Sequence, residues 1–291
     1  LARFVHLAGP ELADFGTDGP GYDQRIKLVF PHEGGRLPVL GEGQDWYAEW
    51  LALPEAERGH MRTYTVRDVL GSGPDTRVVV DLVTHGPDGH GEAGPGSRWA
   101  ASATVGSRVL LLGPRKGVVY GGIEFAAPED SELLLVGDET AVPAIAAVLA
   151  QLPVDAAGAA FLEVPLGVDV QSLVHPPRVE VTWLPREGRP VGSLLHEAVL
   201  GHLGAGAAPV EVPEAEVEVG LWETPTYSSS GDSLDEHTTS VGHDLADLYA
   251  WIAGESRVVT GLRRALVRDL GLDRRQVAFM GYWREGVSMG A

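Results

Sequence analysis

Four consecutive residues in the first quarter of the chain, Arg62-Thr63-Tyr64-Thr65, carry the clearest chemical signal. On a strand, Arg62 and Tyr64 share one face and Thr63 and Thr65 the other, because side chains alternate with a period of two. Tyr64 offers a flat ring for stacking, and Arg62 a rigid fork of donors for a phosphate. A threonine hydroxyl can donate to a ring nitrogen. The same four residues also suit an ordinary exposed strand with one aromatic, and alone they do not decide between the two. Downstream, Asp81-Leu82-Val83-Thr84-His85-Gly86 ends the next strand, and Gly94-Pro95-Gly96-Ser97-Arg98-Trp99-Ala100 follows a glycine-rich stretch. Helix amides after Ser97 would suit a diphosphate. His85 has a plainer reading as a hydrogen-bonded strand-end histidine. One decoy lies here. Gly89-His90-Gly91-Glu92-Ala93-Gly94 matches G-x-G-x-x-G, but Pro95 and Gly96 follow at once and no long helix opens to meet a diphosphate.

A second set of candidates ends apolar runs in the other half. Gly137-Asp138-Glu139-Thr140 closes the run at 132–136. Ligands of open α/β sheets gather at such strand ends. Asp138 and Thr140 would serve as well to cap the next helix, and the two roles are compatible. Gly254-Glu255 ends a later run, at 248–253, and would face the same crevice. Glu163 and Arg186 follow two other strands. Trp283, near the end of the chain, fits a core as well as a ligand's edge. Among cations, Arg115-Lys116 follows the strand at 109–114 and reads equally as a solvated turn. Arg25 and Lys27 alternate onto one strand face and read as a solvated face. Other chemistry is poorly served. Asp68 and Asp81 have no paired acid, and His237 and His243 lack metal-site spacing. No P-loop occurs. The chain has no cysteine, so disulfides, thiolate metal sites and thiol catalysis are excluded, and any electrons must travel on a bound cofactor.

The elements that must position these residues change character along the chain. Residues 3–7, 24–30, 61–68, 77–84, 108–112 and 118–125 read as short strands punctuated by Gly and Pro, as in a β-barrel or sandwich. After a break at 126–130 the period changes. Strands at 132–136, 160–164, 179–184 and 276–283 alternate with helices at 143–152, 193–203 and 258–270, which implies a parallel α/β layer. Residues 248–253 read as a buried strand, with a helix over 244–253 almost as good. Residues 86–97 and 223–242 read as loops. The expected division is 1–127 and 128–291. The chain has 291 residues, 44% apolar and 22% charged, enough to bury a core. No run reaches the ~20 apolar residues of a membrane span. The start carries no signal-peptide pattern, although Leu1 in place of Met suggests a trimmed end; a cytoplasmic location is expected. Residues 1–127 hold 12 basic and 16 acidic side chains, residues 128–291 hold 10 and 25, and the formal net charge is −19. Nonspecific binding to nucleic acid or to an anionic membrane is therefore not expected.

Taken together, the motifs resemble the siderophore-interacting protein family, the ferric-siderophore reductases within the ferredoxin–NADP reductase superfamily. The matching segments are RTYT at 62–65, DLVTHG at 81–86, GPGSRWA at 94–100, GDETAVPA at 137–144, WIAGE at 251–255 and GYWREG at 281–286. The resemblance spans nearly the whole chain, and its six motifs fall in family order. It implies an N-terminal six-stranded antiparallel flavin-binding β-barrel followed by a parallel-sheet α/β domain for NADH or NADPH. By resemblance, Tyr64 stacks on the FAD isoalloxazine, Thr65 bonds near flavin N5, and Arg62 holds the phosphate beside Thr63. Asp81, Val83 and His85 line the ring and ribityl chain, and Ser97, Trp99 and Ala100 meet the pyrophosphate and adenine side. Asp138, Thr140, Gly254 and Glu255 face flavin or nicotinamide, and Trp283 covers the flavin edge. Arg115 and Lys116 are the candidates for an anionic ferric siderophore. A 2′-phosphate would need Arg186, Arg189 or Arg257, and the acidic second half leans toward NADH, with ferredoxin an open alternative donor. The expected activity is reduction of ferric siderophores to release Fe(II). The alternatives are a general flavin or ferredoxin-linked reductase, and a noncatalytic siderophore- or flavin-binding protein.

Overall fold

The computed structural model describes residues 2–32, 35–41, 45–84, 94–205, 212–213, 217, 221–224, 227–229 and 245–287. The chain divides into two compact units, Leu1–Gly122 and Ile123–Met289.

Six strands are found among the described residues of the first unit. They are β1 (Ala2–Ala8), β2 (Arg25–Phe30), β3 (His60–Thr65), β4 (Asp68–Leu70), β5 (Arg77–Val83) and β6 (Leu110–Leu112). They form two antiparallel three-stranded sheets, ordered β1-β5-β4 and β3-β2-β6. The inward positions of β2 and β5, Ile26, Leu28, Phe30, Val78, Val80 and Leu82, meet in one core with Phe15, Val66 and Ala100. Burial of each such side chain is worth roughly 1.5–3 kcal/mol. The single strand expected over 61–68 is divided, because the chain changes sheets there. The Val66 amide donates to the Gln24 carbonyl beside β2, and the next amide, of Arg67, donates to Val79 in β5.

Two helices that the sequence reading did not foresee are α1 (Trp46–Ala52), which packs on the outer face of β2 and β3, and α2 (Glu55–Arg58), which follows it. Their anchor is Trp50, packed with Val29 and Met61 and donating from Nε1 to the Arg58 carbonyl at 2.8 Å. A third helix, α3 (Pro95–Ser102), starts with Pro in its first turn. The strand expected over 118–125 does not form. Gly117 and Gly122 take φ of +74° and +97°, and Val119 between them is fully exposed, with no core to pack against.

The second unit is built on one sheet of β7 (Glu132–Gly137), β8 (Ala157–Val164), β9 (Arg178–Pro185), β10 (Trp222–Thr224), β11 (Tyr227–Ser228), β12 (Leu248–Glu255) and β13 (Val277–Trp283). The order is β11-β10-β13-β12-β7-β8-β9, with β13, β12, β7, β8 and β9 mutually parallel. All eight residues of β12 are buried, which favours the strand over the helix at this segment. α4 (Val142–Gln151) is buried along residues 142–149. α5 (Ser193–His202) and α6 (Ser256–Arg263) share a core with Leu134, Val136 and Phe279. The helix expected to run to Leu270 changes to a wider π turn over Arg264–Asp269, yet Leu262 and Leu266 stay in the core as their spacing requires. Successive strands β7, β8 and β9 run outward on one side of β7, and β12 and β13 lie on its other side. The order thus reverses between β7 and β12, the topological switch point where open α/β sheets bind ligands.

Candidate functional site

In the first unit, strand β3 presents the R-x-Y-T face. Cross-strand pairing Leu28↔Arg62 and Ile26↔Tyr64 sets both side chains on one face, while Lys27↔Thr63 and Arg25↔Thr65 set the threonines on the other. Tyr64 is half-buried, edge-on to Phe30 with ring centroids 6.0 Å apart. Burial pushes its hydroxyl up to about 12, so the phenol stays protonated. The first turn of α3 closes over it: a Cβ on Gly96 would stand 2.0 Å from Tyr64 Oη, so only glycine fits. Ser97 is buried in the same turn. Arg62 is half-buried, donates to the Met61 carbonyl at 2.7 Å and lines a cavity at the strand edge. Thr65 is buried. Thr63 is exposed and accepts from Lys27 Nζ at 2.6 Å, which ties one of the two lysines to the strand.

Asp81 points away from the barrel core on β5. It is 3% exposed, and neither carboxylate oxygen accepts a hydrogen bond. Its nearest cation is Arg67 Nε at 3.4 Å. Burial pushes the Asp81 carboxyl up to about 6, with Arg67 pulling the other way. A buried, unbonded carboxylate normally has a partner, and a planar ligand's N–H or a sugar hydroxyl would supply one. Val83, half-buried, ends the same strand on the same face. His85 lies outside the described residues. Trp99 packs at 5.3 Å on Phe30. Ala100 is in the core, and its carbonyl accepts from Arg3. Arg115 pairs with Asp14 at 3.2 Å on the surface, and Lys116 is exposed beside it. The structure thus joins Arg62, Tyr64 and Gly96-Ser97 at one place. It sets Arg115 and Lys116 in a surface turn.

In the second unit, Asp138, Thr140, Gly254, Glu255 and Trp283 meet at the switch point. Asp138 is 1% exposed. Its Oδ1 accepts from Thr140 N at 2.9 Å and Thr140 Oγ1 at 2.6 Å. Its Oδ2 accepts from Glu255 N at 2.7 Å and Trp283 Nε1 at 2.7 Å. The bond from Glu255 N ties the ends of β7 and β12 across the reversal. Gly254 has φ +146°, and a Cβ there would lie 2.6 Å from Asp138 Oδ2. Glu255 caps α6, accepting from Arg257 N at 2.6 Å and Val258 N at 3.1 Å. Glu163 accepts from Gly192 N and Leu194 N at the start of α5. Arg186 reaches back to Glu139 with both terminal nitrogens, at 2.7 and 2.9 Å, and to Glu163 at 3.2 Å. Glu139 escaped the sequence reading, since only strand order brings the ends of β7, β8 and β9 together.

Burial pushes Asp138 up to about 7, and Glu139 adds to this, while the bonds from Thr140 and Trp283 pull it down. A proton on Oδ1 has one place to go, onto the Thr140 oxygen. The folded value lies above that of an unfolded aspartate. This group's stabilising contribution is therefore present at acid pH and is lost as pH rises from about 4 through about 7. The Trp283 indole proton reports the change. It is expected to move downfield with rising pH, with a midpoint near 7; a flat NMR shift between pH 5 and 8 would contradict this.

Among the described residues, no cluster of three or more His, Asp or Glu could hold a metal ion, and no helix is long and apolar enough to cross a membrane. Residues 1–118 match the siderophore-interacting FAD-binding domain, and residues 130–286 match the siderophore-interacting protein model. The chain belongs to the siderophore-interacting protein family. Two relatives match nearly all of this chain. An uncharacterized protein of Mycobacterium tuberculosis is 36% identical over 97% of this chain and 87% of its own. The ferric vibriobactin reductase ViuB of Vibrio cholerae is 26% identical over 97% of this chain and 83% of its own. The solved siderophore utilization protein from T. fusca superposes with a TM-score of 0.66 at 30% identity, over 99% of this chain and 88% of its own. In this siderophore-interacting protein, the residues matched by the FAD-binding domain include β3, Asp81 and α3. Those matched by the second model include the switch point.

Proposed function

We propose that this chain is an FAD-dependent ferric-siderophore reductase supplied by NADH, with residues 1–127 binding the flavin and 128–291 the nicotinamide. The reading rests on β3. There Arg62 and Tyr64 share a face beside the closed turn of α3, in a segment that matches an FAD-binding domain. The similarity to ViuB, a ferric vibriobactin reductase, supports the substrate class. The geometry fits the cofactor: Tyr64 would stack on the ring, Arg62 and the first amides of α3 would meet phosphate, and the unbonded Asp81 carboxylate would take a donor from the ring or its side chain. With FAD bound, the chemistry available is two-electron reduction by a nicotinamide and one-electron delivery to Fe(III), two ferric ions per dinucleotide. Tyr64, protonated throughout the working range, binds and takes no part in proton transfer. Asp138 and Glu255 hold the ends of β7 and β12 in place at the nicotinamide crevice. Iron release follows from the weaker hold of hard siderophore oxygens on Fe(II).

The preference for NADH has its own support. Arg186, buried at the strand ends, is already taken up by Glu139 and Glu163. A 2′-phosphate would add about two negative charges to a crevice already lined by carboxylates. Turnover is expected to favour NADH over NADPH by at least ~10-fold in kcat/KM, since like charge brought together costs several kcal/mol; equal turnover would contradict it. The function itself is tested by anaerobic assay with FAD, NADH, a ferric siderophore and a ferrous chelator. Chelated Fe(II) forming in proportion to NADH is the expected result. Nicotinamide oxidation without Fe(II) would overturn it.

A further inference from the structure

Arg3 stands at the start of β1 and belongs to none of the sequence motifs. It pairs with Leu82 of β5, so it shares the inward face of its strand with Val5 and Leu7, which pack against the core of the first unit. At the rim of that core its guanidinium meets the end of α3. Nη1 donates to the Ala100 carbonyl and, at 3.2 Å, to that of Ala101. Nη2 donates to the Ala103 carbonyl at 2.8 Å. The carbonyls that end one helix thus converge on one side chain from a strand 97 residues away in sequence.

The two ends of α3 are built differently. At the N-terminal end, Gly94 makes no side-chain cap, Pro95 fills the first turn and no acid stands there. A helix of eight residues is marginal by itself, so its placement comes from what grips it. The core holds its middle: Ala100 is fully buried, and Trp99 packs on Phe30. The first turn fits Tyr64 without slack, because Gly96 has no room for a Cβ. Arg3 holds the last turn. Its charge also offsets the negative end of the helix dipole, which strengthens the pull of the opposite end, at Gly96 and Ser97, on an anion. Arg3 is exposed, so water can replace its bonds when it is removed. The fold then survives, and what goes is the fixed seat of the helix.

We propose that Arg3 is a positioning residue for the flavin diphosphate: by fixing the last turn of α3, it sets where the amides of the first turn stand. The proposal rests on the flavin reading of β3 and α3, and the two can fail separately. Riboflavin carries the ring without phosphate, so it is the internal control. Flavin-free wild type, Arg3→Ala and Arg3→Lys are titrated with FAD and with riboflavin by fluorescence. Thermal midpoints confirm that each variant is folded, and amide hydrogen exchange over residues 98–103 is followed without flavin. Arg3→Ala is expected to weaken FAD ~10-fold, the scale of one charge-assisted hydrogen bond, while riboflavin stays within about twofold. Exchange at the end of α3 should quicken in the same variant. Arg3→Lys keeps the charge but not the fork, so its loss of FAD should be intermediate. Should Arg3→Ala not fold, the ratio of FAD to riboflavin affinity in Arg3→Lys decides alone. Unchanged FAD binding would overturn the proposal. Equal losses for FAD and riboflavin would also overturn it and make Arg3 a support of the fold alone. A wild type that binds riboflavin as tightly as FAD contradicts the diphosphate contact and leaves the ring at Tyr64, whereas one that binds neither removes the reading beneath both.

Discussion

Replacing Tyr64 by alanine is expected to strip the protein of most of its flavin. The ring supplies a stacking surface worth about 1–3 kcal/mol, so FAD affinity should fall roughly 10- to 100-fold. The ring also packs on Phe30 and under Gly96, and its loss opens the edge of the barrel core. Some loss of stability, about 2–4 kcal/mol, accompanies the loss of cofactor. Tyr64→Phe separates the two effects. It keeps the plane and the packing and removes only the hydroxyl, so flavin occupancy should stay close to wild type. Equilibrium titration with FAD, with circular dichroism as a check on folding, reads both variants. A Tyr64→Ala protein with full flavin occupancy and normal turnover would refute the role given to this ring.

The second large effect is expected at Asp138. Four donors converge on its carboxylate, and two of them, the Glu255 amide and the Trp283 indole, come from other strands. Asp138→Ala leaves those donors buried and unpaired, at about 1–3 kcal/mol each, so a loss of about 3–5 kcal/mol in unfolding free energy is expected. Asp138→Asn rescues it only in part, because an NH2 placed at Oδ1 can donate to the Thr140 hydroxyl but still faces the Thr140 amide. Both variants should keep flavin, whose proposed site lies in the other unit, and lose nicotinamide-dependent reduction. Chemical unfolding followed by Trp fluorescence, with the FAD content measured alongside, checks this. Wild-type stability and NADH turnover in Asp138→Ala would show that the carboxylate does not join β7 to β12 as described.

Much of this arrangement was legible in the residues because strands impose a period of two. Alternation alone put Arg62 and Tyr64 on one face, and the register bears this out. The apolar runs before Asp138 and Glu255 marked two strand ends, and both stand at the switch point. Contacts that depend on register or strand order were not legible. His32 and His60 are 28 positions apart and meet because Phe30 pairs with His60. Glu139 and Arg186 meet because β8 lies between β7 and β9. The run Val118-Val119-Tyr120 misled for a different reason. It has strand composition, but glycines in left-handed conformations on either side turn it out of the sheet. The short helices α1 and α2 carry too few turns for a period of 3.6 to stand out, and Trp50 alone marks their buried side.

The most direct test of the central claim is an anaerobic visible spectrum of the purified protein with FAD, recorded before and after NADH and again after a ferric siderophore. A flavin band that bleaches with NADH and returns on adding the ferric complex is the predicted result. A band that bleaches and stays bleached, or a protein that takes up no flavin at all, would contradict it.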